Sequence, residues 1–184
     1  NKMIGLFLGD TDFSEAVLKK IKKLNKRYFI IDFSKNNKFK KDINSHRISI
    51  GKFGKIINLI KEKKSKKVLF AGKIVKAKFS TLRLELKGVY YIPIIIRAAK
   101  LGDAAIIKNI IKILDNENIK VISSNFFNPE LTLKSGNYTK LKPNMSDSSS
   151  IKKGIAYFNK LNSLDHVQAV IAKNNTILAI EDEQ

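Results

Sequence analysis

The chain has no cysteine. That excludes a disulfide framework, thiolate catalysis and zinc–thiolate sites. No apolar run approaches the roughly 20 residues of a membrane span. The opening NKMIGLFLGDTDF lacks the form of a signal peptide, because its apolar run is short and leads into acidic residues. A cytoplasmic location is therefore the default expectation. Arginine is scarce: the 36 basic residues include only Arg27, Arg47, Arg83 and Arg97. Nucleic-acid readers lean on arginine for base edges and on interleaved aromatics for single strands, so nucleic acid is not an expected partner. The glycine-rich dinucleotide fingerprint is missing too, with only Gly5 and Gly9 in the first strand and turn. His46 and His166 show no metal-ligand spacing with each other, and no Ser/His/Asp order recommends covalent catalysis.

What remains is a lysine-rich chain of 184 residues with a formal net charge of +20 and 43% hydrophobic content. That length allows one domain or one and a half, with a real core. The lysines come in scattered groups, such as Lys19, Lys20, Lys22 and Lys23, that fall on the polar sides of helices. Solvated helix faces explain most of them. Attraction to phosphates or to an anionic membrane surface is the functional alternative.

The organising stretch is 68–79, VLFAGKIVKAKF. Its short apolar run closed by glycine reads as a strand buried on both faces, as in a parallel sheet. Ligands of such sheets gather past the carboxyl ends of the strands. Gly72 allows close backbone approach there, and Lys73 supplies a positive charge. Residues 2–8 read as a first buried strand closed by Gly9. Asp12 and Glu15 then form an expected capping box, with Phe13, Val17, Ile21 and Leu24 on one helix face. Gly9, Asp10 and Thr11 thus stand at a helix N-terminus, which favours an anion. Residues 28–33 form a second strand ending at Asp32, a candidate for ribose hydroxyls. Residues 47–50 are expected as a short strand closed by Gly51, followed by a helix from Phe53 to about Lys64. The order is β-α-β-β-α-β with glycine at three strand ends, and right-handed crossovers would bring Gly9, Gly51 and Gly72 onto one sheet edge.

Farther on, residues 91–100 and a segment opened by Gly102 and Asp103 read as helices. Asp103 is the expected N-cap of the second, and Ile106, Ile107, Ile110, Ile111 and Leu114 form its apolar stripe. Residues 119–122 are a fifth strand. Residues 133–147 lack periodicity and read as a linker. A helix over 146–161 and two strands, 167–172 and 176–180, follow, with a turn at Asn174 and Asn175 that accepts positive φ. The expected architecture is α/β: a Rossmann-like parallel-sheet domain over 1–132, the linker, and an incomplete second α/β domain over 148–184. The close at AIEDEQ and a first methionine at Met3 read as a fragment.

Taken in order, several stretches resemble the LpxI-type UDP-2,3-diacylglucosamine pyrophosphatases of lipid A biosynthesis. They are MIGLFLGDTDF (3–13), GKFGKIINLI (51–60), LFAGKIVK (69–76), GDAAI (102–106) and LDHVQAVIAKNNTILAIE (164–181). The resemblance implies hydrolysis of UDP-2,3-diacylglucosamine to UMP and 2,3-diacylglucosamine 1-phosphate, with magnesium assisting and the substrate held between two domains. It implies substrate contacts from Gly9, Asp10, Thr11, Gly51, Gly72, Lys73, Asp103 and Lys76, and from Asp165, Gln168 and Glu181 in the second-domain motif. An essential catalytic aspartate is expected beyond Gln184, so these residues alone should bind poorly and not turn over. Phe13-Ser14 and Val167 depart from the family pattern. The implied partners are the acylated UDP-sugar and, peripherally, the cytosolic face of the inner membrane; a homo-oligomer is left open. The acyl chains need an apolar surface, for which Tyr90, Tyr91, Ile92, Ile94 and Ile95 are candidates. A non-catalytic nucleotide-binding module on the same sheet is the competing reading.

Overall fold

A computed structural model describes residues 2–73, 91, 93–94, 97, 103–161 and 169–181. The chain forms two compact units, one of residues 1–96 and 109–133, the other of 97–108 and 134–184.

In the first unit five parallel strands form one sheet. They are β1 (Ile4–Leu8), β2 (Tyr28–Asp32), β3 (Ser45–His46), β4 (Lys67–Ala71) and β5 (Lys120–Val121). Their spatial order is β3-β2-β1-β4-β5. The near-continuous apolar runs IGLFL, YFIID and KVLFA are what a sheet covered on both faces requires. Ile4 pairs with Tyr28 on one side and Lys67 on the other, so the carboxyl ends of β1, β2 and β4 are level. The order reverses between β1 and β4, which is the topological switch point where such sheets open a crevice.

Helix α1 (Asp12–Lys23) buries Val17, Leu18 and Ile21. They pack with Ile4, Leu6 and Leu8 of β1, Ile30 of β2 and Leu69 and Ala71 of β4. Fully burying one such aliphatic side chain contributes about 1.5–3 kcal/mol. Phe7 points to the other face, with its ring 4.7 Å from Phe70 and 5.7 Å from Phe33 in edge-on contacts. Helix α2 (Phe53–Glu62) buries Phe53, Ile56, Ile57, Leu59 and Ile60, the 3.6-residue stripe of its sequence. Helix α3 spans Asp103–Asn116, and its Ile110, Ile113 and Leu114 are buried. The Tyr91 ring stands 6.0 Å from Phe53, and its hydroxyl donates to Glu117. Tyr91 thus serves packing, against its candidacy as part of an acyl surface; Tyr90, Ile92 and Ile95 lie outside the described residues.

Two expectations are corrected. The strand expected over 47–50 is instead Ser45–His46, pairing only with Ile30 and Ile31. Ser49 then accepts from the Gly51 N–H through its side chain, turning the chain into a 3-10 helix over Ile50–Lys52. The N-cap of α1 is Thr11, not Asp12. Thr11 is extended (φ −152°, ψ 160°) and its hydroxyl accepts from the Ser14 N–H, leaving Asp12 in the first turn, where its charge suits the helix dipole.

The second unit holds helix α4 (Met145–Leu161) and an antiparallel pair, β6 (Val170–Lys173) and β7 (Thr176–Ile180). Asn174 (φ 48°) and Asn175 (φ 57°) form the turn with the positive angles expected of it. The Asn175 N–H donates to Ser150 Oγ at 2.8 Å, tying the turn to α4.

Candidate functional site

The crevice between β1 and β4 is stitched from its backbone outward. The Gly9 N–H donates to Ala71 O at 2.9 Å and the Asp10 N–H to Lys73 O at 2.8 Å. Ser14 Oγ donates to the same Ala71 carbonyl at 2.8 Å. These bonds extend the strand pairing past the ends of both strands, so Gly9–Asp10 and Gly72–Lys73 run side by side. They also use the N–H groups of Gly9 and Asp10. At the start of α1 the N–H groups of Asp12 and Phe13 are the ones without an intrahelical partner.

Gly72 has φ +86°, in the left-handed region. A Cβ there would lie 2.1 Å from Ser14 Oγ and 2.6 Å from Thr11 Oγ1. The glycine therefore answers first to the start of α1, which fills the space a side chain would need. Gly72 and Lys73 are exposed at the edge. Gly51 is buried in the turn before α2, at the carboxyl side of β3.

A second layer comes from β2 and β3. Asp32 is fully buried, and its carboxylate accepts four hydrogen bonds. Oδ1 accepts from the Ser34 N–H at 2.8 Å, from the Ser34 hydroxyl and from Arg47 Nη1 at 3.3 Å. Oδ2 accepts from the Phe39 N–H at 3.2 Å. Asp32 therefore organises the loop after β2, and its full burial keeps it from a ribose at the surface, contrary to its candidacy. Arg47 Nη1 also donates to Asp32 O at 3.2 Å and to Ser34 O. The Lys35 N–H donates to Asp10 Oδ2 at 2.6 Å, which links this loop to the β1 turn.

The acidic first turn acts on its surroundings. The hydrogen bond from Lys38 to Glu15, at 3.0 Å, holds the Lys38 ammonium above its ordinary range, with Asp12 and Asp10 adding attraction. Among the described residues no group of three His, Asp or Glu side chains is placed to hold a metal. Nor is any described helix long and apolar enough to cross a membrane.

The remaining expected residues divide by unit. Asp103 is the first residue of α3 and belongs to the second unit. Glu181 follows β7 there, and its N–H donates to Ala169 O at 2.9 Å. Lys76, Asp165 and Gln168 lie outside the described residues. That unit also contains a largely apolar groove of about 320 Å³ lined by Ile151, Gly154, Ile155, Phe158 and Val170. Ser14 and Arg47 were not singled out by sequence pattern. A hydroxyl three residues past Thr11 was the available signal for the first; rarity of arginine among so many lysines was the signal for the second.

Comparison with known proteins agrees with this architecture. Residues 3–131 match the family model described as the LpxI N-terminal domain, and residues 134–184 match the LpxI C-terminal domain. The chain is 26% identical over 137 residues to the UDP-2,3-diacylglucosamine pyrophosphatase LpxI of Caulobacter vibrioides. That match takes in 74% of this chain and 49% of the relative, so the chain spans about half of the curated protein it matches. With family models matching residues 3–131 and 134–184, nearly the whole sequence, the chain belongs to the LpxI family.

Proposed function

We propose that the protein hydrolyses the pyrophosphate bond of UDP-2,3-diacylglucosamine, giving UMP and 2,3-diacylglucosamine 1-phosphate for lipid A biosynthesis. The observation that carries this reading is the pair of family matches, supported by the name of the Caulobacter relative. In this reading residues 1–132 form the domain that meets the pyrophosphate at the β1/β4 crevice. Residues 148–184 belong to the catalytic domain, after a linker over 133–147.

The crevice offers an anion the N–H groups of Asp12 and Phe13 at the start of α1, where the helix dipole is favourable. Lys73 adds a full charge beside them. Gly9, Thr11, Gly51 and Gly72 shape the backbone at this edge, and Asp10 fixes it to the β2 loop. Lys76, Asp103, Asp165, Gln168 and Glu181 complete the proposed set of contacts.

A divalent cation, magnesium, belongs to the proposal. It would offset the repulsion between Asp10, Asp12 and a pyrophosphate. The described residues do not supply its ligand set, so no step is routed through it. A cytoplasmic location with peripheral contact at the inner membrane fits the net charge of +20 and an acylated substrate.

The test is an assay of the intact protein with UDP-2,3-diacylglucosamine and magnesium, following UMP. Release of UMP is expected, with a large loss in Lys73→Ala. A nucleotide that binds without UMP release would leave the non-catalytic binding module in its place.

A further inference from the structure

Arg47 reaches the carboxyl edge of the sheet and is held there by one nitrogen. All its hydrogen bonds run through Nη1, to Asp32 O, Asp32 Oδ1 and Ser34 O. Among the described residues, Nη2 and Nε have no hydrogen-bond partner. The side chain is 46% exposed, while its partner Asp32 is 0% exposed. A guanidinium presents five N–H donors in a planar fork that matches phosphate oxygens in pairs. Here Nη1 uses its two donors inward, and the three on Nη2 and Nε remain.

Holding a buried carboxylate needs only the inward half of this group. The outward half is a pre-positioned donor face, so a phosphate binding to it meets a side chain whose freedom is already restricted. Its position is tied to the crevice by covalent and hydrogen-bonded links. The Ser34 carbonyl accepts from Arg47, and the N–H of that same peptide, on Lys35, donates to Asp10. The Asp10 N–H in turn donates to Lys73 O.

The geometry points to Arg47 as a phosphate-binding residue of the β1/β4 crevice, its Nη2 and Nε donating to the diphosphate of a bound uridine nucleotide. This rests on the pyrophosphate reading above and adds a contact to it. Asp10 and Arg47 then flank the ligand with opposite charges, and Arg47 offsets part of the repulsion that Asp10 exerts on a phosphate.

The test is titration of the intact protein with UDP by calorimetry, together with ¹⁵N observation of the arginine side chains. Arg47→Lys keeps a positive charge beside Asp32 and loses the outward fork. It should weaken UDP binding roughly tenfold, about one bidentate contact. Ser65→Ala is the control for stability. It removes the bonds from Ser65 Oγ to Met3 O and Lys67 O at the opposite edge of the sheet. It should lower the melting temperature and leave UDP affinity at the wild-type value. In the wild type, the Arg47 Nε resonance should shift as UDP is added, a readout independent of any variant's folding. Wild-type affinity in Arg47→Lys, or an unmoved Nε resonance at saturating UDP, overturns the assignment while the crevice reading stands. A folded wild type that binds no UDP overturns both.

Discussion

Arg47 and Asp10 grip opposite ends of one peptide group: Arg47 Nη1 donates to the Ser34 carbonyl, and the Lys35 N–H donates to Asp10 Oδ2 at 2.6 Å. The loop after β2 is thereby fixed between the turn after β1 and the end of β3. Asp10 plays two parts with opposite signs, an acceptor that orders the edge and a negative charge beside the proposed anion. Asp10→Asn keeps an acceptor oxygen and removes the charge. In the absence of divalent cations it should bind UDP a fewfold more tightly, with little change in melting temperature. Asp10→Ala, which leaves the exposed Lys35 N–H to water, should cost about 0.5–1 kcal/mol in urea unfolding.

Gly72 gives the sharpest packing prediction. Gly72→Ala must place a Cβ 2.1 Å from Ser14 Oγ at a φ of +86°. The left-handed conformation costs roughly 1–2 kcal/mol, and the clash adds to it, so a loss of about 3 kcal/mol is expected. Ser14→Ala should cost about 1 kcal/mol by removing one of the two hydrogen bonds that the Ala71 carbonyl accepts, the other being that from the Gly9 N–H. Since Ser14 Oγ is the nearer of the two obstructing hydroxyls, with Thr11 Oγ1 remaining, the double variant should lose less than the sum of the two. Urea midpoints of the four proteins decide this; strict additivity would contradict the packing described.

Lys64 is the third member of a set. Helices α1, α2 and α3 end in residues with positive φ, Asn25 (48°), Lys64 (52°) and Asn118 (59°). Asparagine and glycine tolerate this conformation, whereas lysine is strained in it. Lys64→Gly should therefore stabilise the protein by about 0.5–1 kcal/mol, read as a higher urea midpoint at unchanged slope. A lower midpoint would mean that the lysine charge at the end of α2 outweighs the strain.

His46 sets a pH dependence. Burial first, then the nearby positive charge of Lys63, holds its imidazole below the ordinary value of 6.5, with Glu62 opposing. The unfolded chain thus binds more protons than the folded one in the window just below pH 6.5, so stability falls as pH drops through it. Urea midpoints of the wild type should decline from pH 8 to pH 5. His46→Gln should flatten that decline. Asp42 is different: burial raises its carboxyl, but bonds from Lys22, the Asn44 N–H and Tyr28 bring it below 3.8 overall. Its stabilising contribution is present at neutral pH and is lost only on stronger acidification, below the window of His46, as is that of Glu117, held low by Lys61 and Tyr91.

The central strands were legible because burial on both faces leaves a dense apolar run, as in IGLFL and KVLFA. The parallel order of β1 and β4 then puts Gly9 and Gly72 side by side at the carboxyl edge, while Gly51 lies in the turn after the shorter β3. The misreadings come from places where a partner far along the chain decides. The two-residue β3 exists only through pairing with Ile30 and Ile31. Asp32 looked available until the loop over 33–39 closed on it. The demand for glycine at position 72 is set by Ser14, whose hydroxyl binds a carbonyl 57 residues away. Arg47 carries no local pattern at all, since its place depends on the fold of the loop it holds.

The claim on which the rest depends is that a uridine pyrophosphate group sits at the β1/β4 switch point. Amide chemical-shift mapping of the intact ¹⁵N-labelled protein during UDP titration tests it directly. The account predicts that the largest saturable shifts fall on Asp10, Asp12, Phe13, Gly51, Gly72 and Lys73. Saturable shifts that instead gather on the groove of Ile151, Ile155 and Phe158, with the carboxyl edge of the sheet unmoved, would contradict it.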